Sequence, residues 1–303
     1  MTKFSGIICP ILTPFEADGS IGRDLYVRHA RWVLDQGAHY LSPFGTTGEA
    51  LSVGVSERMM ALEWLIEAGI PADRLMPGTG VTALTETAAL SSHAVKAGCP
   101  GVMVLPSFFY TAAGDEGQAR YFSDLVERVG DSRLRIILYN IPQNSGVPVS
   151  PALTAEMNRR YPGAVVAYKD SSGNWDNTAA VIAAAPRVAV FPGSESFLSK
   201  GMAAGGAGCI SATVNLNAHA IRGVFDGLTS GADVAAADEA MKSFRKAVQD
   251  AGLIDGMKAL LAAATGETRW LNLRAPLRNA DLAAGQRLLS ALGSHAAHLK
   301  EYG

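Results

Sequence analysis

The sequence has little cysteine: Cys9, Cys99 and Cys209 are the only three in 303 residues. An odd number, in apolar or glycine-rich surroundings, argues against a disulfide framework and reads as reduced core thiols of a cytoplasmic protein. No charge of one sign is in excess, with 26 Lys and Arg against 28 Asp and Glu and a formal net charge of −2. That balance argues against a general nucleic-acid binder, which carries a basic patch or stripe. No apolar run is long enough to span a membrane. The N-terminus, Met1 to Gly6, lacks the charged-then-apolar pattern of an export signal. No metal-ligand spacing stands out, and His295 and His298 near the C-terminus read as a solvated helix face.

What the chain does have is 48% hydrophobic residues and enough length to bury a large core, as one large domain or two small ones. Short apolar runs of strand length alternate with amphipathic stretches. The runs are Gly6 to Thr13, Tyr40 to Ser42, Arg74 to Pro77, Gly101 to Leu105, Arg135 to Tyr139, Ala164 to Lys169, Val188 to Phe191 and Gly208 to Ser211. Between them, Tyr26, Ala30, Val33 and Leu34 share one helical face, as do Phe122, Leu125, Val126 and Val129. Ser150-Pro151 has the form of an N-cap followed by proline at the first helical position. Eight such runs without a linker-like break predict a closed (β/α)8 TIM barrel, with a doubly wound open sheet as the alternative. From about Asp233 the chain is alanine-rich and helical, which predicts a C-terminal helical appendage. The division expected is a barrel over residues 1–228 and packed helices over 229–303.

In a barrel of this kind, loops after the C-terminal ends of the strands build the active site. The unusual residues fall there: Gly45 to Glu49, Gly78 to Gly80, Phe109-Tyr110, Tyr139, Lys169, Gly193-Ser194-Glu195 and Ile210. Lys169 ends an apolar run, whereas Lys96, Lys200, Lys242, Lys246 and Lys258 lie in helix-like stretches. An amine at the mouth of a buried strand is desolvated, which favours the neutral, nucleophilic form needed for a Schiff base. The other reading of Lys169 is a strand cap paired with Asp170 or another carboxylate, and the segment alone does not choose. Gly45-Thr46-Thr47-Gly48-Glu49 reads either as a nest of N–H groups and hydroxyls for an anion or as a plain β-to-α turn. Tyr139 is positioned either to move a proton at a substrate oxygen or to seal the barrel top. Phe108-Phe109-Tyr110 is an aromatic cluster that packs on a neighbour or touches substrate.

Taken in order, Gly45-Thr46-Thr47-Gly48-Glu49, Tyr139-Asn140-Ile141-Pro142 and Lys169-Asp170-Ser171-Ser172-Gly173 resemble the dihydrodipicolinate synthase and N-acetylneuraminate lyase family. Gly193-Ser194-Glu195 and Gly208-Cys209-Ile210-Ser211 extend the resemblance over nearly the whole chain. It implies a Schiff-base-forming lyase or synthase acting on pyruvate or another 2-keto acid together with an aldehyde, with no metal or other cofactor. It also implies a homotetramer built from tight dimers. On this resemblance Lys169 is the Schiff-base lysine, Tyr139 the proton shuttle and Thr46 the relay hydroxyl. Tyr110 is the tyrosine donated across the dimer interface. Thr47 and Gly48 belong to the carboxylate-holding turn, and Ile210 presents its backbone to bound pyruvate. Gly193 and Glu195 join the substrate-binding set. Asn144 stands where the synthases carry the arginine that grips the aldehyde's carboxylate. An amide does not replace a bidentate guanidinium contact. The resemblance therefore points to an aldolase or lyase for a 2-keto-3-deoxy sugar acid or similar hydroxylated keto acid. The alternatives are dihydrodipicolinate synthase proper, a dehydratase using the same imine, and a non-catalytic keto-acid-binding relative.

Overall fold

Among the described residues, seven parallel strands alternate with helices: β1 (Gly6–Cys9), β2 (Tyr40–Leu41), β3 (Val102–Val104), β4 (Ile136–Asn140), β5 (Val165–Asp170), β6 (Ala189–Pro192) and β7 (Gly208–Ile210). The computed structural model describes residues 4–302; Met1, Thr2 and Lys3 of the N-terminal segment read above, and Gly303, lie outside the described residues. The helices are α1 (Arg23–Asp35), α2 (Val55–Glu67), α3 (Leu84–Lys96), α4 (Gly114–Val129), α5 (Pro142–Ser145) and α6 (Pro151–Arg160). After β5 come α7 (Trp175–Ala184), α8 (Leu198–Ala203), α9 (Val214–Ser230), α10 (Ala235–Asp250), α11 (Asp255–Thr265) and α12 (Leu282–Leu292). Among the described residues no helix is long and apolar enough to cross a membrane.

Hydrogen-bonded ladders run β2-β1-β7 and β3-β4-β5-β6. The run Arg74 to Pro77, expected as a full strand, joins these ladders only through single bridges, Leu41 with Leu75 and Gly78 with Met103. Its backbone still carries the connection: Met76 N–H donates to Leu41 O at 2.8 Å and Met103 N–H to Pro77 O at 2.9 Å. On the other side, Ala207 N–H donates to Val190 O at 2.9 Å, linking β7 to β6. The chain folds as a TIM barrel with C-terminal helices. Proline at 77 and glycines at 78 and 80 limit the third run to isolated bridges, since proline lacks a donor and glycine packs no side chain. The first strand is likewise shorter than expected, ending at Cys9 before Pro10.

Strand alternation divides the core in two. Ile8, Met103, Ile137, Tyr139, Ala167, Ala189, Phe191 and Ile210 fill the barrel interior. Their neighbours Ile7, Cys9, Val102, Val104, Leu138, Tyr168, Val190 and Cys209 pack outward under the helices. All three cysteines are free and buried. Helix α1 buries Leu25, Tyr26, His29, Ala30 and Val33, a stripe at helical spacing. Ser150 caps α6 as expected, its hydroxyl accepting from Leu153 N–H at 3.0 Å, with Pro151 at the first helical position.

The C-terminal helices fasten onto the barrel through buried polar contacts. Lys258 of α11 and Glu49, at the end of the Gly45–Glu49 turn, form an ion pair with both side chains wholly buried. Lys258 Nζ also donates to the Asn272 carbonyl at 3.0 Å and lies 4.7 Å from the Phe15 ring centroid. Arg274 N–H donates to the other Glu49 oxygen at 3.1 Å. Burial pushes Lys258 down to about 8, outweighing the opposing attraction of Glu49. Phe44 and Glu49, which bracket the turn, both hold positive φ, at 60° and 55°. Non-glycine residues hold such angles only when their surroundings over-determine them. The Lys258 pair is that constraint at Glu49. His29 makes a second buried tie, this one within the barrel between α1 and α9. Its Nε2 lies 2.9 Å from Asn215 Oδ1, an oxygen that also accepts from Leu12 N–H, so the imidazole donates through Nε2. Burial holds His29 down to about 4, neutral in the folded protein.

Two outcomes follow from these buried groups. Lys258→Met leaves Glu49 buried without its cation and should cost about 3–5 kcal/mol, read as a shift of the denaturant midpoint, with Glu49→Gln added to Lys258→Met restoring part of it. Between pH 6.5 and 4 the unfolded chain protonates His29 while the folded chain does not, so its contribution to stability falls as pH falls. The loss should approach about 3 kcal/mol at pH 4, and His29→Gln should flatten that part of the stability–pH curve.

Candidate active site

Strand β5 delivers the central side chain. Its pairing with β4 runs Ile136 to Val165 and then Ile137 to Ala167, so Val166 is an extra, unpaired residue. This bulge resets the alternation. Strict alternation from the outward-facing Val165 would turn Lys169 outward; the extra residue turns Ala167 and Lys169 inward and Tyr168 outward. Tyr168 then packs behind the strand, donating to Val149 O at 2.8 Å and accepting from Asn177 Nδ2 at 3.2 Å.

Lys169 is 3% exposed, directly opposite Tyr139 on β4 and Phe191 on β6. Its Nζ lies 4.2 Å from the Tyr139 ring centroid. Among the described residues no carboxylate stands within ion-pair distance of it. Asp170, the partner considered from sequence, points the other way. Its oxygens accept from Asn140 Nδ2 at 3.0 Å, Ser172 N–H at 3.0 Å, Asn177 Nδ2 at 2.9 Å and Thr178 Oγ1 at 2.7 Å. Those four donors fix the end of β5 against β4 and α7. Tyr139 Oη lies 3.0 Å from Thr46 Oγ1, a contact between residues 93 apart in sequence. An amine so placed can attack a carbonyl, and the hydroxyl pair beside it can pass a proton.

These groups open onto a cavity of about 750 Å³, lined by Thr46, Thr47, Tyr139, Asn144, Lys169, Gly193 and Ile210 among others. Most of the side chains singled out from sequence therefore meet in one place. Gly193 is a glycine because a Cβ there would sit 2.1 Å from Ser171 Oγ. A second cavity of about 350 Å³ shares Thr46, Tyr139 and Asn144 as a wall and is otherwise largely apolar, with Phe44, Leu51, Leu105, Phe108 and Leu277.

Three of the chosen residues lie elsewhere. Gly48 packs within the turn, its N–H on Gly45 O and its carbonyl accepting from Thr13 Oγ1 at 2.8 Å; a Cβ would come 2.7 Å from Ile11 O. Glu195 is fully buried and its carboxylate is taken up by Ser211, Thr213 and Arg245, the last at 3.3 Å. Tyr110 is 67% exposed on the loop after β3, beside Phe109 at 79%. It touches neither Thr46 nor Tyr139 of its own chain, and its ring meets Phe109 edge-on at 5.4 Å.

Among the lining residues that the sequence analysis does not single out are Arg245 and Gln249, both from α10. The signal was present. Met241, Phe244 and Val248 form the buried face of α10, and Arg245, four residues after Met241, falls on the same face. Lys258 in α11 carries the same mark, a charge inside an apolar run. Among the described residues no group of three or more His, Cys, Asp or Glu is arranged to hold a metal ion.

Comparison with known proteins agrees with this architecture. The model of the dihydrodipicolinate synthetase family matches residues 3–294. An uncharacterized DapA-like lyase of Chloroflexus aurantiacus is 33% identical over 287 residues, covering 94% of this chain and 95% of that protein. A 4-hydroxy-tetrahydrodipicolinate synthase of Thermus thermophilus is 34% identical over 213 residues, 70% of each chain. The crystal structure of dihydrodipicolinate synthase from Agrobacterium tumefaciens superposes with a TM-score of 0.86 at 31% identity, covering 95% of this chain and 98% of that one. With the family model spanning the barrel and most of the C-terminal helices, the chain belongs to the dihydrodipicolinate synthetase family and is a carbon–carbon lyase.

Proposed function

We propose that this lyase forms a Schiff base between Lys169 and pyruvate, and makes or breaks a C–C bond to an aldehyde within a 2-keto-3-deoxy sugar acid or similar hydroxylated 2-keto acid. The observation that carries the reading is the isolated amine: a lysine 3% exposed, without a carboxylate partner among the described residues, 4.2 Å from the Tyr139 ring. An amine not engaged by a carboxylate, beside a phenol and facing a cavity, is placed to add to a carbonyl carbon.

In the cleavage direction, Lys169 Nζ adds to the keto carbon and water leaves, giving a protonated imine. The Tyr139 oxygen, held by Thr46, takes the proton from the hydroxyl on the far carbon of the bond to be broken, the carbon that becomes the aldehyde. That C–C bond breaks, its electron pair moving toward the iminium to give an enamine, and an aldehyde departs. The enamine is protonated at carbon, and water hydrolyses the imine to release pyruvate and free Lys169. Thr47 and the turn around it hold the keto acid's carboxylate, with the Ile210 backbone opposite. Hydroxyls and amides from Ser171, Ser172, Asn174, Ser194 and Asn144 in the cavity wall suit a hydroxylated chain.

A dehydratase that expels water from the same imine is a close variant. The second reading is 4-hydroxy-tetrahydrodipicolinate synthase, favoured by relatives of that name at up to 34% identity. Asn144 at the cavity wall, where a guanidinium would be needed, counts against it. The proposal extends to a cytoplasmic homotetramer of tight dimers, in which the exposed Tyr110 reaches a neighbour's Tyr139 and Thr46. It takes residues 1–228 as the catalytic barrel and 229–303 as the helical part packed on it.

Incubation with pyruvate and borohydride, followed by peptide mass spectrometry, should place a reduced adduct on Lys169; a folded protein without that adduct overturns the reading. Tyr139→Phe should lower kcat by about 10²–10⁴-fold while leaving some pyruvate trapping. Aspartate semialdehyde should be a poor partner compared with hydroxylated aldehydes, and efficient turnover with it would favour the synthase reading.

A further inference from the structure

Arg245 reaches the Lys169 cavity from α10, outside the barrel strands, and is 6% exposed. Its guanidinium is held on two of its three nitrogens. Nη1 donates to Glu195 Oε2 at 3.3 Å and to Ser211 Oγ at 3.0 Å, and Nε donates to Gln249 Oε1 at 3.3 Å. Nη2 has no protein partner among the described residues. Both Glu195 oxygens are in use, by Thr213, Ser211 and Arg245. The pair is therefore a fixed support that leaves one nitrogen, with two N–H groups, free to serve the cavity.

We infer that Arg245 is a specificity-determining residue that donates from Nη2 to a neutral oxygen, a hydroxyl, on the aldehyde-derived part of the substrate. Two features select a hydroxyl over a second carboxylate. A carboxylate is gripped best by two parallel N–H groups on neighbouring nitrogens, and Nη1 and Nε are already engaged. Glu195 also balances the guanidinium charge, so a further carboxylate would bring two anions to one buried cation. A polyhydroxylated chain brings oxygens without charge. Arg245 does not occupy the place of the missing synthase arginine. It approaches from a different element, with its charge already spent on Glu195.

This inference rests on the Schiff-base reading, and the test separates the two. Hydroxylated aldehydes of two to five carbons, glyceraldehyde among them, are each compared with the deoxy counterpart (propanal for glyceraldehyde) in addition of pyruvate. The wild-type enzyme should prefer the hydroxylated member in kcat/KM. Arg245→Met should lose about tenfold of that preference, in the range of one hydrogen bond to a charged donor, mainly through KM. Because that change leaves Glu195 buried and unpaired, the combined Arg245→Met and Glu195→Gln variant is measured alongside and should show the same loss. In both variants borohydride should still trap pyruvate on Lys169. A wild-type enzyme without preference in any pair overturns the inference. So does an unchanged preference in a folded, pyruvate-trapping variant, or an equal loss for both members of each pair. Failure of the wild-type protein to trap pyruvate sinks the Schiff-base reading itself, and the inference with it.

Discussion

The inward turn of Lys169 depends on one backbone irregularity in the parallel strands of the TIM barrel. In a barrel every strand residue faces either the interior or the helices, and the pleat leaves no third choice. Val166, unpaired in the ladder between β4 and β5, shifts the phase by one residue. That shift sends Tyr168 to the helix layer, where its hydroxyl finds Val149 and Asn177, and Lys169 to the interior. Asp170 follows the same phase outward to four donors, so the amine and its sequence neighbour are kept apart. Among the described residues the amine is thereby left without a carboxylate at ion-pair distance.

Two buried ion pairs hold this arrangement in place. Glu49 with Lys258, and Glu195 with Arg245, each join a loop at the barrel mouth to a C-terminal helix. Buried ion pairs contribute little net stability, because desolvation offsets the attraction, but removing one partner is expensive. Their effect is therefore to fix geometry: one positions the turn that carries Thr46 and Thr47, the other brings a guanidinium to the cavity wall. The C-terminal helices are thus part of the site as well as a cover for the barrel.

Much of this was legible in the residues themselves. The alternation of apolar runs with amphipathic stretches marks the barrel, and the run from Arg74 to Pro77 failed to become a ladder strand for a reason also present in the sequence, its proline and neighbouring glycines. Lys169, Tyr139, Thr46 and Thr47, all at strand ends or in the loops after them, line one cavity. Glu195 and Gly48 belong to the same loops, but the first is consumed by Arg245 and two hydroxyls and the second by the packing of its own turn. Placement near a site does not reveal which side chains have donors and acceptors to spare.

The sequence by itself determined the local periods, and with them the fold class, the family and the residues that end the strands. Those features are written in neighbours within a few positions of one another, where propensity and pattern act. Only the tertiary structure decided which way Lys169 faces, since a bulge exists only relative to the strand beside it. It alone decided that Lys258 and Arg245 lie buried against carboxylates 209 and 50 residues away. Burial and charge pairing are properties of contacts distant along the chain, and local pattern carries at most a hint of them in a charge misplaced on an apolar face.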